Sequence, residues 1–395
     1  MSRTLAQALA SIGESISMVN GIKNEIRAAI QAKGIEVPDG TLFANYPELI
    51  TAIQDGGGSG GMAGLNLPPR FLYGSSRRRL TIKKGTILPL KVGEERNLFI
   101  AGDDIEINTV DILDDEIQEA GTDYYFYIVP DNTNPSGLNF MVSPSKVAPS
   151  GFTRDQVFLI GGFHTLCVNV GNGLTYVEGG ATKQHLLNGY ISGDILPESV
   201  WCLNHRPHSE PEGMLYIPSL DFWCDIYLPS GSGANTKSAY RGAITRNRQY
   251  VDFVEDMFCV KKELLDDAEF AAAMLGSNEK TAVAGANETG ATSGGAGGRS
   301  DTANRRMISI YGVEEGCGSL WQWLRTTSAA GGNGWNGQNG DKGDFNGGAH
   351  ALLAGGGWDG SAYCGSRCRY AGPSRAYAYA AFGGRGRSRC IKTVL

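Results

Sequence analysis

Three groups of residues in this chain have the types and spacing to do chemistry. Cys202-x2-His205-x2-His208 is spaced like metal ligands, with Cys224 as a further sulfur. Pro207 between the histidines, and no clear fourth ligand besides Cys224, argue against zinc. Cys364-x3-Cys368 has the reach of a metal pair or a disulfide, but no matching second pair exists, so structural thiols are the better reading. The third group is Ala376-Tyr-Ala-Tyr-Ala-Ala381, which alternates with period two. In a strand, Tyr377, Tyr379 and Ala381 share one face and the three other alanines share the opposite one. Tyrosine supplies large contact area at low entropic cost and a hydroxyl that bonds to most partners, as in antibody paratopes. That is the chemistry of a binding surface. The same pattern also fits a strand that turns its aromatic face into a core.

The bulk properties narrow the classes. With 395 residues, the chain has room for two to four domains at roughly 100–200 residues each. Lys and Arg number 35 against 41 Asp and Glu, a formal charge of −6, which leaves no electrostatic footprint for nucleic acid or an anionic membrane. Glycine is abundant at 56 residues, implying long ordered loops, above all in the C-terminal third. The eight cysteines (Cys167, Cys202, Cys224, Cys259, Cys317, Cys364, Cys368 and Cys390) are too scattered for a disulfide scaffold, so reduced, mostly buried thiols are expected. The N-terminus carries no signal peptide and no run of about 18 apolar residues occurs, so no membrane insertion is expected and synthesis is placed in the cytoplasm.

The elements that must position these residues follow from periodicity. Residues 4–33 carry Leu5, Leu9, Ile12, Ile16, Val19, Ile26 and Ile30 at alternating steps of four and three, with Lys23 at the missing beat. That heptad predicts a coiled-coil helix, and isoleucine at both core positions favours three or four strands over two, giving a homotrimer through 4–33. Gly13 and Gly21 weaken it by roughly 1 kcal/mol each. A shorter helix is expected at about Tyr46–Gln54. The division is then 1–54, a helical coiled-coil and attachment module; 55–66, a Gly-rich linker; 67–192, a β-rich sandwich or barrel-like domain; and 193–395, the working domain. Within 193–395, Glu263–Met274 is the one convincing helix, and Ala284–Asp301 reads as a loop. The basic run Arg77-Arg78-Arg79 reads as a solvated edge.

At this point the residues resemble a known family, the variable proteins of diversity-generating retroelements of the phage tropism-determinant type. The resemblance covers about Ile195–Arg389. It is carried by His205-Arg-Pro-His-Ser-Glu-Pro-Glu-Gly-Met214, Trp223-Cys-Asp-Ile-Tyr-Leu228, Arg305-Arg-Met-Ile-Ser309 and Cys317-Gly-Ser-Leu-Trp-Gln-Trp-Leu324. Further on it is carried by Ala351-Leu-Leu-Ala-Gly-Gly-Gly-Trp358, Cys364-Gly-Ser-Arg-Cys-Arg369 and Gly383-Gly-Arg-Gly386. In such families an error-prone reverse transcriptase rewrites adenines in a repeat at the 3′ end of the gene, with Asn codons the usual targets. Laid on this chain, the variable region is about 335–390. Its receptor-binding positions are Gly357, Asp359, Gly360, Tyr363, Tyr370, Gly372, Pro373, Tyr377, Tyr379 and Ala381; His350 and Asn346 join them on a looser pattern. Trp321, Trp323, Trp335 and Trp358 sit outside that set and are read as the core that holds the loops still.

The expected class is an α+β multidomain chain: an N-terminal coiled-coil helix and a β-rich middle domain, both read from the residue patterns and not carried over from the family, and a C-terminal C-type-lectin-like domain with long ordered loops, which the resemblance implies. The resemblance also implies a tail-fibre tip in the virion that binds a bacterial surface receptor, a protein ahead of a glycan, alongside other phage tail proteins. No nucleic-acid partner, cofactor or metal is expected, and no enzyme activity. The alternatives are a structural virion protein and an oxidoreductase like the formylglycine-generating enzymes, which share the lectin-like fold but need a reactive cysteine pair in a cleft. A catalytic site beside positions that are meant to change argues against the latter. The Glu-Pro-Asn and Trp-Asn-Asp signatures of calcium-held sugar binding are missing.

Overall fold

The structure, a computed structural model, describes residues 70–392 apart from 93–94, 115–116, 132, 134–137, 286, 290–296, 331–347 and 372–374, together with Lys23, Asn24, Ile26, Arg27, Gln31 and Val37. The chain divides into two compact units, residues 1–71 with 82–105, and residues 72–81 with 106–395. In the first, Ile87–Val92 and Glu95–Ile100 form an antiparallel pair in register from Ile87↔Ile100 to Val92↔Glu95. Asp104 and Asp103 pair there with Lys83 and Lys84.

The second unit is built on a nine-stranded antiparallel sheet. Its order is Leu138–Ser143, Asp123–Pro130, Phe158–His164, Trp201–Cys202, His205–Pro207, Gly386–Lys392, Phe222–Asp225 and Met214–Ile217, with Glu263–Leu264 pairing beside Gly386–Lys392. Several of these strands are buried at every position, as Met214-Leu-Tyr-Ile217 and Phe222-Trp-Cys-Asp225 are, so both faces of the sheet are covered. One face packs Tyr125, Tyr127, Trp201, Met214, Tyr216 and Trp223 together. The other meets a larger core that includes Leu215, Ile217, Phe222, Phe270, Ile308 and Leu320. Gly161 and Gly162 lie where strands cross: a Cβ would sit 2.4 Å from the Trp201 carbonyl oxygen and 2.5 Å from that of Tyr124, respectively. Only glycine fits such an approach.

A second sheet runs Gly365–Tyr370, Gly348–Gly355, Trp321–Ala330, Phe382–Gly383. Its last pairing is parallel, Trp321 with Phe382. The chain then passes through Gly384 and Arg385 directly into Gly386–Lys392, an interior strand of the large sheet. Arg385 is therefore the joint between the two sheets, and it is fully buried. Its Nε donates to Gln322 Oε1 at 2.9 Å. One terminal nitrogen donates to the carbonyls of Asp225 (2.9 Å) and Ile226 (2.8 Å), and the other to those of Glu314 (2.8 Å) and Glu315 (3.5 Å). All five N–H groups of the guanidinium are used. Nearby, Glu314 pairs with Arg306 and Glu315 with Arg299, all inside the unit.

Several expectations change. The α+β class with an N-terminal coiled-coil helix is corrected to a β-rich fold, because the described elements are overwhelmingly strands and the two α-helices among them are short, Tyr250–Cys259 and Asp267–Ala273. Most of 4–33, and all of Tyr46–Gln54 and the 55–66 linker, lie outside the described residues; Lys23, Asn24, Ile26, Arg27 and Gln31 are helical. The heptad overstated its case: two glycines and a lysine interrupt it, and apolar periodicity identifies a face without saying what covers it. The expected helix Glu263–Met274 is shorter, since Glu263–Leu264 is a strand and Asp266 caps the helix by accepting from the Glu269 N–H. Tyr250–Cys259, which was not among the expected elements, is the longer helix. The basic run is held in ion pairs: Arg77 and Arg78 on the buried Asp194, and Arg79 on Glu106. Among the described residues no helix is long and apolar enough to cross a membrane.

Candidate functional site

The two segments that flank Gly365–Tyr370 in the chain carry most of the expected variable positions. Trp358 to Tyr363 form two successive turns, with the Gly360 N–H donating to the Gly357 carbonyl (3.1 Å) and the Tyr363 N–H to that of Gly360 (2.8 Å). The turns start from Gly355 and Gly356, both in the left-handed region at φ 91° and 86°. A Cβ on Gly356 would lie 2.7 Å from Cys364 Cα, so neither the backbone angle nor the space admits a side chain. Cys364 Sγ then donates to the carbonyls of Gly360 (3.2 Å) and Gly357 (3.6 Å), pinning the turns from beneath.

Residues of Cys364-Gly-Ser-Arg-Cys-Arg369 work as anchors. Ser366 donates to Glu279 at 3.0 Å, and Arg369 pairs with Asp267 while its guanidinium lies 5.2 Å from the Phe270 ring centre. Tyr370 closes the strand and faces outward, 45% exposed, with its ring 5.7 Å from that of Trp321. Tyr363 is the most open at 72%, and Tyr377 and Tyr379 stand at 52% and 36%. The last two rings stack with centres 6.3 Å apart and planes 18° from parallel. Tyr379 donates to Asp359 Oδ2 at 3.0 Å, and this bond holds its phenol pKa above the usual value. Both rings set their faces or edges against Phe382, at 5.9 and 5.3 Å, and Phe382 meets the buried Trp323 at 5.3 Å. A continuous path of contacts thus leads from the core tryptophan to the exposed tyrosines.

The structure brings Gly357, Asp359 and Ala381 together: a Cβ on Gly357 would lie 2.7 Å from Asp359 Oδ1, 2.9 Å from Trp321 Cδ1 and 3.3 Å from Ala381 Cβ. Asp359, Tyr363, Tyr370, Tyr377 and Tyr379 are exposed and Gly360 is half-buried, whereas Gly357 and Ala381 are buried. Residues 376–381 do not form the expected strand; they are turn and coil, and Ala376 and Ala378 are exposed like the tyrosines. Ala381 departs from the face assigned to it because its carbonyl accepts the Trp321 N–H at 2.8 Å, where the chain enters the sheet. His350 lies in a strand, with its backbone opposite Ser328. Asn346, Gly372, Pro373 and Trp335 lie outside the described residues. Trp323 is fully buried, and Trp321 and Trp358 are half-buried. Phe382 is the contact residue that pattern reading missed; a lone aromatic before Gly-Gly-Arg gives no periodic signal.

The thiols behave as packing groups. Burial pushes Cys364 up to about 12, with Cys368 and Asp359 adding to the effect, and burial pushes Cys224 up to about 12. Such thiols are protonated, and so weakly nucleophilic, at neutral pH. Cys202 donates to Asn204, and His205 is wedged between the rings of Tyr216 and Trp223, so the Cys-x2-His-x2-His spacing is absorbed by packing. Among the described residues no cluster of three or more His, Cys, Asp or Glu is arranged to hold a metal. Alkylation of the native protein at pH 8 should therefore label the exposed Cys259 first and leave Cys224 and Cys364 unlabelled until denaturant is added. Fast labelling of Cys364 would show an activated thiol and reopen the oxidoreductase alternative.

Comparison with known proteins places this geometry. A family model described as the Mtd second domain matches residues 70–202. A tail fiber receptor-binding protein of Bordetella phage BPP-1 is 30% identical over 308 residues, covering 68% of this chain and 71% of that one. Among solved structures, the Major Tropism Determinant I1 variant superposes with a TM-score of 0.62 at 24% identity, covering 82% of this chain and 84% of its own. The U1 variant does so with a TM-score of 0.60 at 23% identity over the same shares. The folds agree, and the fold is β-rich and C-type-lectin-like.

Proposed function

Because this chain belongs to the family of the phage tail-fibre receptor-binding proteins of the tropism-determinant type, we propose that it sets host range by binding a bacterial surface receptor through the surface centred on Asp359, Tyr363, Tyr370, Tyr377 and Tyr379. The observation that carries this reading is that these side chains project from a frame whose own residues are buried. Gly357, Gly360, Gly372, Pro373, Ala381, His350 and Asn346 complete the set of replaceable positions, rewritten by a retroelement acting on the variable region of about 335–390. Ala381 and Gly357 then take part through their neighbours. Any larger side chain at 357 must displace Asp359 or Trp321, so changes there couple to the exposed positions.

The contact area sets the binding regime. Each tyrosine can bury ~150–250 Å² at most. With about half of each ring open, the four supply roughly 400 Å², half of the ~800 Å² per partner of a standard interface. One copy therefore binds modestly, and several copies on one particle raise avidity by ~10²–10⁴. A homotrimer in the virion meets that need; the subunit count by sedimentation of the full chain tests it. A protein receptor is favoured over a glycan, since four tyrosines clustered on one surface match the aromatic hot spots of protein–protein interfaces. The proposed domain division keeps 193–395 as the part that carries this surface.

The test is genomic. DNA near the gene should hold a near-copy of the codons for about 335–390, differing at adenines, with a reverse transcriptase gene beside it. Absence of such a copy, or differences that avoid the positions named above, would remove the assignment of replaceable residues.

A further inference from the structure

Apart from the tyrosine surface, the end of the Tyr250–Cys259 helix, the Glu263–Leu264 strand and the last strand of the chain line a half-open cavity of about 340 Å³. That is near the lower end of the range for small-molecule sites, roughly 300–1,000 Å³. In a chain of net charge −6, its lining carries four cations, Lys261, Lys262, Arg387 and Arg389, against one acid, Glu263, with His208 and Ser388 beside them. Two of these cations are already answered. Lys262 Nζ lies 2.5 Å from Asp225 Oδ1, and Arg387 Nη2 lies 2.5 Å from Glu269 Oε1. Lys261 and Arg389 are exposed, and neither is in an ion pair among the described residues. Arg387 and Arg389, two apart on one strand, point to the same side of the sheet. Phe258 stands on the rim at 82% exposure, more open than any other large apolar side chain among the described residues. Lys261 follows the helix in the left-handed region at φ 58°, which glycine or asparagine would occupy with less strain.

We propose that this cavity binds a sugar bearing an anionic substituent, phosphate or carboxylate. A guanidinium offers two parallel N–H donors to either anion, and the lysine adds a point charge. Arg389 and Lys261 are open to do this because, among the described residues, no carboxylate of the chain holds them. The face of Phe258 covers the apolar side of the sugar ring. The fixed pairs Lys262–Asp225 and Arg387–Glu269 hold the floor rigid, and none of the lining residues is among the replaceable positions. The ligand class rests on the cavity alone; that such a sugar sits on the bacterial envelope, giving a constant grip beside a changing one, rests on the receptor-binding reading.

Titration of the full chain with glucose 6-phosphate, glucuronate, glucose and inorganic phosphate, followed by calorimetry, tests it. One or both charged sugars should bind, and glucose and inorganic phosphate should each bind roughly tenfold more weakly. Which charged sugar binds identifies the substituent. Arg389→Gln and Phe258→Ala, both at exposed positions, should each weaken binding at least about fivefold with unchanged thermal unfolding. The Tyr377→Ala, Tyr379→Ala double variant should bind the sugar as the parent does. The proposal is overturned if neither charged sugar binds, if inorganic phosphate binds as tightly as glucose 6-phosphate, or if both cavity variants bind normally. It is also overturned if Phe258→Ala lowers the subunit count in sedimentation, since the ring would then belong to an interface between copies. Failure of the receptor reading would show in adsorption by the tyrosine variant and would leave these titrations unchanged.

Discussion

Replacing Arg385 with Met should lower stability by about 3–5 kcal/mol, a large share of the roughly 5–15 kcal/mol that holds a typical domain folded. The side chain reaches five acceptors on three separate segments, and four of them are main-chain carbonyls with no room to turn toward solvent. Methionine fills much of the volume and removes these donors. The Ile226 carbonyl keeps the Glu314 N–H (2.9 Å) and that of Asp225 keeps the Cys224 thiol (3.5 Å), while each acceptor left unsatisfied costs ~1–3 kcal/mol before the surroundings relax. At ~2–4 °C per kcal/mol for a unit of this size, the unfolding midpoint falls by roughly 10 °C. Arg385→Lys should recover little, because an ammonium is a point donor and cannot span the fork. Burial holds the Arg385 pKa below its usual value, and Cys224, Asp225 and Glu315 nearby oppose that effect only in part. The measurement is thermal unfolding followed by tryptophan fluorescence. A shift of only one or two degrees would mean that the carbonyls find other donors and that the joint is not where the two sheets are tied.

The second large effect is functional. The double variant Tyr377→Ala, Tyr379→Ala should reduce binding of the protein to susceptible cells by about 10²-fold or more. Truncating an aromatic hot spot removes at least ~2 kcal/mol, and two stacked rings do not add fully, so ~3 kcal/mol for the pair is a fair magnitude. The fold should persist, because both rings are about half exposed and their inner neighbour Phe382 keeps its contact with Trp323. Unfolding of parent and variant should agree to within a few degrees. Equal binding by both proteins would sink the assignment of the contact surface; loss of binding together with loss of the folded state would say nothing in its favour, and Tyr363→Ala, at the most exposed ring, would then decide.

Local pattern revealed the strands better than their company. Tyr124–Val129 and Val157–Gly162 are legible as strands in the sequence alone, because β-branched and aromatic residues cluster there between turn residues. That they lie in one sheet with Gly386–Lys392, more than 200 positions away, is a matter of long-range pairing that no short window reports. The same limit explains the 376–381 segment. Alternation of small and large residues predicted a strand, yet no neighbouring strand is there to pair with it among the described residues, and the chain turns instead to bring Phe382 beside Trp321. The outward tyrosines came through the family resemblance, and their residue types agreed. Of the positions proposed as replaceable, Gly357 and Ala381 are buried, so a template of codons and a map of the surface need not coincide. Arg385 was visible only as part of a glycine-rich motif, because what makes it important is acceptors contributed by residues 60 to 160 positions earlier.

The last strand has a consequence for how such a gene can vary. Since Gly386–Lys392 lies inside the large sheet, everything encoded after the positions proposed as replaceable must be read in the correct frame for the scaffold to close at all. Substitutions leave that strand intact, while a copying slip of one or two nucleotides would deprive the sheet of an interior member and Arg385 of its place. Defective copies would then fail as folded protein before reaching a particle, and the fold itself would act as a proofreader of any pool of variants made upstream of it.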